Sequence, residues 1–338
     1  QNFSTQDLVA VMLYIRDMAS YSNLSVEYKS LIPGPNPPVR ICIEAPFNVE
    51  TPILIEAVAY KQPEGSSNRR HTMHVQSVSH WAPANIGPYS QAIRVGDIIY
   101  IAGQIALVPG SMEVVKGGIR RQSRLALRHV GRLIKAMDSN TQIRDVVQGI
   151  CYITNAAYIT EARKEWERRT NNAIMDYVVV SQLPRYALLE WQVWVHRGNS
   201  QFNYEETGCV IGSNRVSIRR RWNYENTVSA IVCYVSAGSS ASNPSVCEAS
   251  NKDEPLTESE LEEVFTYAMS RLIRGDPVPS NPVCSCRIMY RAGRAPSPQM
   301  IHSIISKIKS VNIVPTVLPV CQLNNPNTFL SLCALRHA

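Results

Sequence analysis

Several chemistries are missing from this sequence. It holds no Cys-x-x-Cys, no His-Glu-x-x-His and no close His/Asp/Glu cluster, so its seven histidines offer no metal set. The nine cysteines are an odd number, and only Cys284 and Cys286 stand close together. That pair alternates onto one strand face, with no second ligand pair at zinc spacing. Most of the others lie in apolar runs, where Cys acts as a small hydrophobe, and the pattern predicts a reduced, cytoplasmic protein. No apolar run approaches the roughly 20 residues that span a bilayer, which excludes a membrane helix. The opening QNFSTQDLVAVMLYI has neither a basic n-region nor a small-residue cleavage site, so it is no secretory signal. It also lacks an initiator methionine, which predicts a fragment or a processed chain.

What remains is globular in kind, with 45% hydrophobic and 18% charged residues over 338 positions, enough for two or three domains. The formal net charge of +7 is spread out. Basic clusters at 69–71, 119–124, 162–169 and 218–222 lack interleaved aromatics and Gly-rich arms. They read as solvated helix faces and turns rather than as a nucleic-acid interface.

Turn-rich stretches at 61–80 and 196–206 divide the chain, and 236–255 reads as a mobile loop inside the last part. Residues 1–60 alternate as strand, helix, strand, strand, with the Pro-rich PGPNPP at 33–38 ending the helix. From 81 onward come strands over AIRVGDIIYIAG and IALVP. A long helix follows, with Leu125, His129, Leu133 and Met137 on one stripe. Strand, helix, strand, strand then recurs up to 195. The part from 207 gives strands near 208–219 and 228–235, then a helix opened by a capping box of Thr257 and Glu260. The same four-element order closes the chain. One β-α-β-β unit thus appears three times, which predicts packing around a shared axis.

The turn GPYSQA at 87–92, followed by VGDIIYIAGQIAL, resembles the YjgF/Rid family, also called L-PSP endoribonuclease-like. The segment LYIRDMASYSNLSVEYKSLIPGPNPPVRICIEAPF resembles the second half of another such domain. The resemblance implies an α+β fold of tandem Rid-like, chorismate-mutase-like domains, each a β-sheet with two helices, packed as a trimer or pseudo-trimer. Residues 1–60 would be the C-terminal half of a first domain, 61–80 a linker and 81–196 a second domain. Residues 207–338 would be a divergent third. Tandem copies resemble the C-terminal region of the eukaryotic diphthine–ammonia ligase family. On that resemblance ATP, with its phosphate loop, belongs to a missing N-terminal ligase domain, and no cofactor belongs here. The partners implied are that domain, elongation factor 2 and a small carboxylate or imine ligand.

The resemblance also points to residues. Arg40, in PVRICIE, matches an arginine that clamps a substrate carboxylate, since a guanidinium fork meets a carboxylate at two points. The alternative is a strand-end surface arginine. Cys42 shares its face, and Glu56 matches a glutamate near the attacked carbon, where it could position water. A carboxylate in an apolar strand asks for a partner, and Arg40 is the expected one. Tyr89 matches a tyrosine bordering the cleft, and Gly103 permits close backbone approach. Ala102 stands in place of a family serine. In the second domain Met175 stands for the arginine and Gln192 for the glutamate, so that domain cannot form the clamp alone. Tyr89 and Gly103 are expected to face Arg40, Cys42 and Glu56 across a domain junction. Three functions follow: an assembly or docking module attached to a ligase, an imine or enamine deaminase, and an endoribonuclease.

Overall fold

The computed structural model describes residues 3–61, 70–170, 173–198, 202–238, 256–275, 283–293, 296–308 and 313–337. Most of the segment read as a mobile loop, 239–255, lies outside the described residues, as do positions 62–69 of the stretch read as a linker. The chain forms two compact units, Gln1–Phe202 and Asn203–Ala338.

The first unit opens with β1 (Leu8–Ile15), α1 (Tyr21–Leu31), β2 (Val39–Glu44) and β3 (Ile53–Ala59). β1 is apolar along its length and buried at every position but the first, as a strand covered on both faces must be. It pairs in parallel with β2 and antiparallel with β3. Parallel pairing needs a crossover, and α1 supplies it. Next come β4 (His71–Met73), β5 (Ala92–Val95), β6 (Ile98–Gln104), α2 (Gly118–Met137), β7 (Val146–Ile153), α3 (Ile159–Glu167), β8 (Ile174–Val179) and β9 (Leu189–His196). Their sheet runs β8-β7-β9-β6-β5-β4. β7 repeats the role of β1, parallel to β8 and antiparallel to β9.

Two sequence expectations change here. His71–Met73, inside the stretch read as a linker, pair with β5 as an edge strand. IALVP is not a strand; only an isolated bridge joins Leu107 to Val114. The face of α2 that packs on the sheet is Ala126, Leu127, Val130, Leu133 and Ile134, while Leu125 and Met137 sit at its margin. His129 on this helix is buried, with Nε2 2.8 Å from the Leu107 carbonyl oxygen.

The second unit contains β10 (Asn203–Ile211), β11 (Asn214–Trp222), β12 (Val228–Ala237), α4 (Glu258–Leu272), β13 (Val283–Arg291), α5 (Pro298–Lys307), β14 (Pro315–Val320), a two-residue β15 (Gln322–Leu323) and β16 (Thr328–His337). Its sheet runs β14-β13-β16-β12-β11-β10, which matches the β8-β7-β9-β6-β5-β4 order strand for strand. β13 pairs in parallel with β14 and antiparallel with β16, the third instance of the repeated unit. Strand structure expected near 208–219 takes the form of a hairpin. Gly212, at φ +57°, opens the two-residue turn between β10 and β11. Asn203–Glu206, assigned to a break, begin β10. The capping box stands: Thr257 Oγ1 accepts from Glu260 N at 3.2 Å, and Glu260 Oε2 accepts from Thr257 N at 2.8 Å.

Leu133, fully buried on α2, should be costly to truncate. Leu133→Ala is expected to lower unfolding free energy by about 2–5 kcal/mol in denaturant titration. Arg128→Ala, on the exposed side of the same helix, should change it by about 0.5 kcal/mol or less.

Candidate functional site

β2 carries Arg40 and Cys42 on one face, because strand side chains alternate. The edge of β2 is taken up by loops from the second half of the same unit. Ser90 N donates to the Pro38 carbonyl oxygen at 3.1 Å, and Val39 bridges Ser90. At the other end Glu44 N donates to Gln182 O at 3.0 Å, and Ser181 N donates to Glu44 O at 3.1 Å. The junction expected between Arg40 and the GPYSQA turn is therefore formed within one unit.

Arg40 is 4% exposed. Its Nη2 donates to the Tyr21 hydroxyl at 2.7 Å. The rings of Tyr21, Tyr28 and Tyr89 lie with their centroids 5.3, 5.1 and 5.3 Å from its Cζ, close enough for cation–π attraction. Nη1 is buried and accepted by no protein atom. The surface-arginine alternative thus fails on burial.

The turn GPYSQA follows from this packing. A Cβ on Gly87 would overlap Arg40 Nη2 and come within 3.1 Å of the Tyr21 hydroxyl oxygen, so the turn needs glycine there. Tyr89 supplies a ring, and its hydroxyl accepts from Ile86 N at 3.4 Å. Ser90 meets β2 through its backbone. The Gln91 side chain ties down the preceding segment: its Oε1 accepts from Val75 N at 2.7 Å, and its Nε2 donates to Val75 O at 2.8 Å. Glu44, last in PVRICIE, accepts from Met18 N at 2.7 Å and so fixes the turn leading into Tyr21.

Glu56 is not with them. In register, Arg40 aligns with Val11 and Ala57, whereas Glu56 aligns with Met12 and Ile41. Alternation puts Glu56 on the opposite face of this sheet, where its Oε2 accepts from the Tyr14 hydroxyl at 3.1 Å. The expected Arg40–Glu56 pairing is therefore corrected.

The carboxyl group beside Arg40 belongs to Glu190 of β9. Tyr21, Arg40, Cys42, Ile86, Tyr89, Gly103, Ile105, Pro184 and Glu190 line one cavity of about 20 Å³. A Cβ on Gly103 would overlap Glu190 Oε1 and fall 2.7 Å from Ile41 Cγ1, so β6 must be glycine where it crosses. Glu190 is 4% exposed, and its Oε2 has no hydrogen-bond partner. Sequence reasoning placed the family glutamate at Gln192, two residues on and on the same strand face. The carboxylate inside the apolar ALLEWQVWV is the sequence signal for Glu190, of the same kind that points to Glu56.

Burial pushes the Glu190 carboxyl up to about 8, and the pull of Arg40 only moderates this. Glu190 is thus protonated at neutral pH, and the cavity carries the uncompensated positive charge of Arg40. Burial also pushes the Cys42 thiol up to about 12, so Cys42 is no thiolate nucleophile. Burial raises the Tyr21 and Tyr89 phenols, which stay neutral. Among the described residues no group of three or more His, Cys, Asp or Glu could hold a metal ion.

The sign of the Glu190 shift sets a stability test. A carboxyl raised from about 4.5 to about 8 on folding binds its proton more tightly when folded. Its burial therefore erodes stability as pH rises through that window. Glu190→Gln is expected to raise the melting temperature at pH 8 and to flatten its fall between about pH 4.5 and 8. An unchanged pH profile would overturn the assignment.

A family model described as Endoribonuclease L-PSP matches residues 79–196. A RutC family protein of Pyrococcus abyssi is 33% identical over 119 residues, covering 34% of this chain and 91% of that protein. The human 2-iminobutanoate/2-iminopropanoate deaminase is 33% identical over 110 residues, covering 32% of this chain and 80% of that protein. The diphthine–ammonia ligase of Schizosaccharomyces pombe is 31% identical over 192 residues, covering 56% of this chain. The chain spans 31% of that ligase's length. No described helix is long and apolar enough to cross a membrane. The glycine turn, the β-α-β-β topology and these relatives agree: the chain belongs to the L-PSP endoribonuclease-like family of Rid and RutC proteins.

Proposed function

We propose that the first unit binds a compact 2-imino acid between Arg40 and Glu190 and hydrolyses it, within a protein resembling diphthine–ammonia ligase. One observation carries this reading. A buried guanidinium with an unpartnered Nη1 and a buried carboxyl with an unpartnered Oε2 face the same cavity. The cation selects a carboxylate, and the neutral acid suits an imine nitrogen.

The chemistry balances with water as the sole co-reactant. Glu190 gives its proton to the imine nitrogen while water oxygen bonds to the adjacent carbon. The Glu190 carboxylate takes the surplus proton from the added oxygen. Glu190 then gives that proton to the amine, the carbon–nitrogen bond breaks as the hydroxyl proton passes to the Glu190 carboxylate, and release of ammonia leaves a 2-oxo acid. A group poised near 8 can act in both directions at neutral pH. The ligase relatives are named for joining ammonia, and this reaction liberates ammonia. That link makes a site of this kind intelligible beside ligase chemistry, whose ATP would be held in a part of the protein other than this chain.

A docking role, towards a ligase part and elongation factor 2, is favoured by the cavity's size. About 20 Å³ admits roughly one water, so imine hydrolysis requires the lining to open as the acid enters. Ribonuclease chemistry is less well served, because the lining offers one carboxyl group where a base and an acid are needed together.

The test is hydrolysis of 2-iminopropanoate generated in situ by an amino-acid oxidase. Arg40→Ala should lower kcat/KM by about 100-fold or more, and Arg40→Lys should recover little of it. The rate should hold below about pH 8 and fall above it, as Glu190 loses its proton. Hydrolysis indifferent to both variants and to pH would leave docking as the function.

A further inference from the structure

Tyr21 holds a place that none of the functions above assigns to it. Its hydroxyl oxygen accepts the Arg40 Nη2 proton at 2.7 Å, as one oxygen of a bound carboxylate would. It also forms a wall. Tyr21, Ile86 and Pro184 line both the Arg40 cavity of about 20 Å³ and a groove of about 480 Å³ outside it. The same groove is bordered by Asp17, Ser22, Gln182 and Arg185. The groove runs on along a turn in which Arg185 and Tyr186 have φ of 58° and 55°. Two adjacent non-glycine residues in the left-handed region store strain, a feature of segments held in place by their surroundings.

We propose that Tyr21 is a specificity gate: its phenol caps Arg40 in place of the ligand carboxylate, and ligands enter from the groove by displacing it. This rests on the reading of Arg40 as a carboxylate clamp. Only an acid whose carboxylate outcompetes a neutral phenol opens the site, which favours anionic 2-oxo and 2-imino acids over their amides or esters. Cys42 and Glu190 face the space that opens.

Pyruvate, the 2-oxo product of 2-iminopropanoate, serves as a non-reacting probe by calorimetry on the full chain, with its amide as the uncharged control. Tyr21→Phe keeps the ring over the guanidinium and removes the cap. It should tighten pyruvate binding by about tenfold, the weight of one hydrogen bond to a charged group, and leave the amide unimproved. Unchanged or weaker pyruvate binding would overturn the gate. In the unsubstituted protein, saturating pyruvate should blue-shift the tyrosine difference spectrum as one buried phenol reaches solvent. A flat spectrum with pyruvate bound would also overturn it, even if Tyr21→Phe fails to fold. Both readouts use binding, so absence of turnover would count against imine hydrolysis and leave the gate standing. Absence of pyruvate binding altogether would remove both.

Discussion

Everything at the site depends on burying one guanidinium. Taking Arg40 out of water costs several kcal/mol, which the protein must offset with groups that tolerate a cation. It does so with three tyrosine rings and one phenolic oxygen, and not with an ionised carboxylate. An anionic Glu190 would neutralise the cavity and leave nothing for a ligand. Because burial outweighs the pull of Arg40, Glu190 keeps its proton and the site stays cationic. The polarity that recognises an acid is thus a consequence of desolvation. A more hydrated cleft with the same two residues would form an ordinary ion pair.

That constraint ties the three-stranded segment 8–59 and the six-stranded domain after it into one unit. Residues 8–59 supply Arg40, Cys42, Tyr21 and Tyr28, while the later domain supplies Tyr89, Gly103, Pro184 and Glu190. Neither part can bury the guanidinium alone. The backbone hydrogen bonds from Ser90 to Pro38 and between Glu44 and Gln182 set the register of β2 against the loops. A slip of one residue there would turn Arg40 to the other face.

The fold was largely legible in the sequence because period, caps and glycine turns report local geometry. The β-α-β-β unit, the Thr257 cap and the strand around Arg40 are all of that kind. The misreadings share a cause, since each required knowing what a segment meets. IALVP has strand composition and no ladder partner. Glu56 and Glu190 are both carboxylates in apolar strands, and sequence alone cannot say which sheet face is pressed against β2. The family motif located Arg40, Tyr89 and Gly103, whereas the carboxyl group that completes the cavity is fixed by three-dimensional packing.

The second unit separates fold from site. It repeats the strand order and crossovers of the first, yet its β14, PTVLPV, offers no arginine where β2 carries Arg40. Its β16, TFLSLCALRH, offers no carboxylate where β9 carries Glu190. The positions that close its core, such as Ile231, Phe265, Ile288 and Leu332, remain apolar and buried. Packing demands volume and hydrophobicity, which many residues meet, while the cavity demands a cation, a neutral acid and glycines at fixed points. The first requirement preserves topology through extensive divergence. The second vanishes with two substitutions, so shared architecture with the first unit gives the second no claim to its chemistry.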